Sequence, residues 1–145
     1  MTQPTTQKSE KQPEVDWYLE SLVHIVTASK SAMGVTLSVG GTVVTGQLIS
    51  GKEYLELSAG QVSDVFKRLG VSEEGAKAIK ESFSKPAQQL YREETDAQPA
   101  GYGYIHLKNA RIVSGTSSHA LGGSLWRSRL SAVDGFSLGE LTQAP

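Results

Sequence analysis

Apolar and polar residues alternate with a period of two through Gly34–Ser50. Val35, Leu37 and Val39 are separated by Thr36 and Ser38, and Val44, Gly46 and Leu48 by Thr45 and Gln47, with the pair Gly40–Gly41 between the two runs. Alternation on both sides of a two-glycine turn predicts a β-hairpin, because glycine enters the positive-φ conformations of tight turns without steric cost. Tyr104–Val113 repeats the style, with Ile105 and Leu107 opposed to His106 and Lys108. Its apolar parity then shifts to Ala110 and Ile112, which predicts a β-bulge near Asn109–Ala110. In Leu125–Leu138, Trp126, Ser128 and Leu130 share one face, and Leu125, Arg127 and Arg129 the other. Asp134–Gly135 reads as a further hairpin-type turn into Phe136–Leu138. Together these strands are expected to form one small twisted barrel or sheet.

Helical spacing replaces the alternation elsewhere. Val15, Leu19, Leu22, Val23 and Val26 predict an N-terminal helix, its apolar stripe widened by Trp17, Tyr18 and Ile25. Pro13, Asp16 and Glu20 suit its start, and Ser29–Gly34 its stop. Residues 52–93 predict a helical insertion between the second and third strands. Val62, Val65, Phe66 and Leu69 form one stripe closed by Gly70; Ser72, Glu73 and Glu74 open another carrying Ala76, Ile79 and Phe83. Lys85–Pro86 is expected to break that helix, and Ser114–Ser124 to be a glycine/serine loop. Residues 1–12 are polar with a single proline and predict a disordered tail; 142–145 form a second polar tail, leaving 13–141 as one domain.

Composition narrows the function class. A chain of 145 residues can bury about two-thirds of its unfolded surface. No window approaches the roughly 20 consecutive apolar residues of a membrane span, and the polar N-terminus lacks the apolar core of a secretory signal. Absence of cysteine excludes disulfides and thiolate metal sites and fits a cytoplasmic protein. With a net charge of −1 and four basic residues spread over positions 100–145, no basic stripe for a phosphate backbone is expected.

Catalytic and metal constellations are weak. The acidic N-terminal helix carries a single histidine, His24, with no second ligand at helical spacing, and His106 and His119 fall on a strand and a loop. Ser114, Ser117 and Ser118 beside His119 resemble a nucleophile and base only in composition, and loop serines near glycine serve turns. No phosphate-binding glycine loop is present. The expectation is therefore a protein that is not an enzyme and takes no cofactor. Trp126 flanked by Arg127 and Arg129 offers a surface for stacking and for carboxylates.

Two resemblances follow from these strands. Leu37, Gly41, Val44, Gly46 and Leu48 are similar to the first block of Sm-like proteins, and Ile105, Leu107 and Ala110 to the strand after it, in an order that places a helix before five strands. The Asp-x-Met-Asn of the RNA base pocket and the Arg-Gly of the second block are not reproduced. This resemblance implies an α+β, mainly β, Sm-like/SH3-type antiparallel barrel and ring-style self-association, with a nucleic-acid-binding Sm-type module as the alternative. Over roughly residues 15–141, the runs Gly41–Tyr54, Tyr104–Ile112 and Leu125–Gly139 resemble the gas vesicle accessory protein U family. What that implies is a non-catalytic cytoplasmic protein that self-associates and promotes clustering or assembly of buoyant gas vesicles. Its partners are then copies of itself and the vesicle shell or other vesicle proteins, with neither nucleic acid nor membrane. Tyr104, His106, Lys108, Arg111, Trp126, Arg127 and Arg129 are the expected oligomer or partner surface, with the seam along Tyr104–Val113 and Leu125–Leu130.

Overall fold

In the computed structural model, which describes residues 14–90, 103–115, 117–120 and 125–141, three helices accompany a six-stranded antiparallel sheet. The expected tails at 1–12 and 142–145 lie outside the described residues. Helix α1 (Trp17–Ser29) starts where the Asp16 carboxylate accepts from the Tyr18 amide at 2.9 Å, and it stops at Lys30, whose φ of 53° leaves the right-handed region. Leu19, Leu22, Val23 and Val26 bury one face of α1 against the sheet. Trp17 and Ile25, read as part of that stripe, point to solvent instead. Helical period fixes a stripe's centre better than its width, and the buried residues of α1 are those four with Thr27.

Strands β1 (Met33–Val39) and β2 (Thr42–Ile49) pair in register across Gly40 and Gly41, whose φ values of 56° and 82° are those of a type I′ turn. Their alternate residues Val35, Leu37, Val44 and Leu48 enter the core. The Ser50 hydroxyl then accepts from the Glu53 amide and starts α2 (Gly51–Arg68), which α3 (Glu73–Leu90) follows as an antiparallel hairpin. Helix α3 runs through Pro86. A proline costs one backbone hydrogen bond, and the sequence beyond it, Ala87 to Leu90, consists of good helix formers.

Strand β3 (Tyr104–Ser114) is the long member of the sheet. Along one edge it pairs with β2; along the other it pairs first with β5 (Trp126–Arg129) and then with β4 (Ser117–Ala120). The strand order is β4–β3–β2–β1–β6, with β6 (Gly135–Leu138) on the outer edge of β1. Asn109, at φ 51°, and Ala110 together oppose Gly46, so the bulge lies where the parity shift puts it. Strand β4 occupies part of the expected Ser114–Ser124 loop: Gly115 turns the chain at φ 60°, and the free edge of β3 supplies the partner that local composition does not reveal.

The sheet is open, which corrects the expected closed barrel. Its two edges hold β4 and β5 on β3 at one side and β6 on β1 at the other, and no pairing among the described residues joins β6 to β4 or β5. A short 3-10 turn, Leu130–Ala132, connects them and drops Leu130 into the core. Asp134–Gly135 is accordingly no hairpin turn. Its carboxylate accepts from the Gly40 amide at 2.8 Å and its own amide donates to the Ser38 carbonyl, tying the end of the chain to the β1–β2 turn.

Candidate functional site

Register brings most of the expected surface together. Tyr104 lies opposite Arg129 and His106 opposite Arg127, so these four share the face of the sheet away from α1. The Arg127 guanidinium sits 3.7 Å from the centroid of the Tyr104 ring, and its Nε donates to His106 Nε2 at 3.1 Å. From α2, the Tyr54 ring packs 4.8 Å from the His106 ring, and Glu53 takes the Lys108 ammonium at 2.9 Å. Arg111, beyond the bulge, donates to the Leu141 carbonyl at 2.7 Å. Trp126 stands apart: it opposes Leu107 and packs against the core from the other face. Strand alternation separates it from Arg127 and Arg129. The seam expected along Tyr104–Val113 is also revised, because β3 has partners on both edges and leaves only β4 and β5 facing outward on that side.

His106 is only 4% exposed. Burial, and then the positive charge of Arg127, lowers its pKa from 6.5 to about 4. The imidazole is thus neutral near pH 7, with Nε2 held as an acceptor by Arg127. Such a histidine positions its neighbours; its basic nitrogen is already engaged and is poorly placed to take a substrate proton. Arg127 and Arg129 remain exposed and present planar cations beside an aromatic ring, a pattern that suits carboxylates or aromatic groups of a protein partner. Next to this face, Lys30, Ser50, Lys52, Glu53 and Glu56 line an open cleft of about 250 Å³.

Among the described residues no group of three or more His, Cys, Asp or Glu side chains is arranged to hold a metal ion. Ser118 and His119 lie on β4, and their side chains are outside those described. No described helix is long and apolar enough to cross a membrane. Glu53 and Tyr54, the α2 residues that complete the face, carry no signal in the sequence: Glu53 is 55 positions from Lys108, and nothing local announces the pairing.

Compared with models of protein families, residues 16–141 match the one described as gas vesicle protein GvpU-like. No curated protein and no solved structure gives a match.

Proposed function

Because the chain belongs to the gas vesicle protein GvpU-like family, matched over residues 16–141, we propose that it is a non-catalytic accessory protein that acts on gas vesicles in the cytoplasm. It self-associates and promotes the clustering or assembly of vesicles by presenting several copies of a weak contact surface at once. The family match carries this reading. Supporting it, the face built by Tyr104, Arg127 and Arg129 offers exposed cations for acidic or aromatic groups on a vesicle protein. A vesicle wall repeats its components, and linked weak contacts to a repeat gain avidity without any strong single contact. The open edges at β5 and β6 are the strands that ring-style pairing between copies would use.

Co-sedimentation with purified gas vesicles tests the proposal. The full-length protein is expected to float or pellet with the vesicles, and Arg129→Ala to reduce the bound fraction about two- to fivefold, as removal of an exposed charge does. A wild-type protein that stays in the vesicle-free fraction at every concentration overturns it.

A further inference from the structure

The α2–α3 hairpin carries more apolar surface than the molecule covers. Its two helices meet along small side chains: Ala59, Ser63 and Ala76 are buried, and the Ser63 hydroxyl donates to the Ala76 carbonyl at 3.1 Å. The bulky residues lie outside this contact. Val65, Phe66, Leu69 and Phe83 are all exposed, Leu69 by 73% and Phe83 by 52%. On α2, Val62, Phe66 and Leu69 recur at helical spacing, as do Ile79 and Phe83 on α3, so each helix has an apolar stripe wider than its partner fills. Helices of this length owe most of their stability to packing of such a stripe. The rest of the molecule holds the hairpin near the start of α2, through Glu53 on Lys108 and Tyr54 on His106.

Charge on the hairpin favours a copy of itself as the occupant. Glu73 and Lys80, both exposed and seven residues apart, flank the same side of the α3 stripe. A two-fold axis across α3 runs it antiparallel to its copy, which sets Glu73 of each chain against Lys80 of the other. The same operation brings Phe83 of one chain toward the Leu69 end of the other, joining the apolar residues exposed at opposite ends of the hairpin. Acidic and basic side chains are equal in number across α2 and α3, so two copies meet without net repulsion, and the basic excess that a lipid surface would select is missing.

We infer that the α2–α3 hairpin is a self-association surface, docking on the same hairpin of a second copy as an antiparallel four-helix bundle. The inference rests on the self-association proposed above and places that contact on the helices rather than on the strands that carry Tyr104, Arg127 and Arg129.

Light scattering with mass determination on the full chain, across a concentration series, tests it. The wild type is expected at twice the chain mass or a multiple of it. Leu69→Ser with Phe83→Ser is expected to raise the dissociation constant by about tenfold or more, with unchanged circular dichroism. Lys80→Glu is expected to raise it about two- to fivefold, and adding Glu73→Lys in the same chain to restore it. This charge exchange decides the matter if the serine variant fails to fold. An oligomer whose mass is insensitive to both sets of variants overturns the hairpin contact while leaving self-association standing. A wild type that is monomeric throughout overturns both. A monomer that loses vesicle co-sedimentation on Leu69→Ser with Phe83→Ser likewise overturns the second copy as occupant and assigns the face to the vesicle.

Discussion

Gly46 shows how one missing side chain fixes local geometry. A Cβ there would lie 3.0 Å from both the Ala110 Cα and the Lys108 carbonyl oxygen, and both belong to backbone that cannot swing aside. Gly46→Ala is therefore expected to cost about 1–3 kcal/mol, read as a lowered urea midpoint. His106 gives a second expectation, this one in pH. In the folded chain it protonates near pH 4, against 6.5 for an ordinary histidine, so between these values the unfolded chain binds more protons. The stability it contributes is fully present above pH 6.5 and is lost as pH falls toward 4, a change of about 3 kcal/mol in all. Urea unfolding at several pH values checks this: His106→Gln should flatten the slope between pH 6.5 and 4 relative to wild type.

Among the elements, α1 is the one whose docking can be separated from its helicity. Leu19 is fully buried, and Leu19→Ala is expected to destabilise the protein by about 2–5 kcal/mol in chemical denaturation, whereas Ile25→Ser on the exposed side should change it by less than about 0.5 kcal/mol. The sequence alone reveals α1, the β1–β2 hairpin and the bulge because each leaves a local trace: a 3.6-residue period, a glycine pair, a slip in alternation. Strand β4 leaves none, since four residues become a strand only when β3 offers an edge. The same holds for Asp134, whose turn-like neighbour Gly135 suggests a hairpin, while its carboxylate in fact reaches across to Gly40. Of the candidate face, alternation along β5 already sets Trp126 opposite the arginines, although the expected surface grouped the three, and the stack of Tyr54 on His106 requires knowing where α2 lands.

At the scale of the molecule, α1 and the open sheet carry the core, and the α2–α3 hairpin leaves Val65, Phe66, Leu69 and Phe83 uncovered. The last strand completes the first. Strand β6 covers the edge of β1, Gly139 donates to the Gly34 carbonyl at 2.7 Å, and the Leu141 amide reaches the buried Thr45 hydroxyl at 2.8 Å. Gly40 and its Asp134 partner are separated by 94 residues. On a ribosome adding about 5–20 residues per second, Asp134 is therefore made about 5–20 s after Gly40, and for the part of that time that the β1–β2 ribbon spends outside the exit tunnel it has no β6 to pair with. Throughout that interval the nascent polypeptide shows an unpaired, valine-rich border, making it the stage of biogenesis at which a chaperone has most to protect.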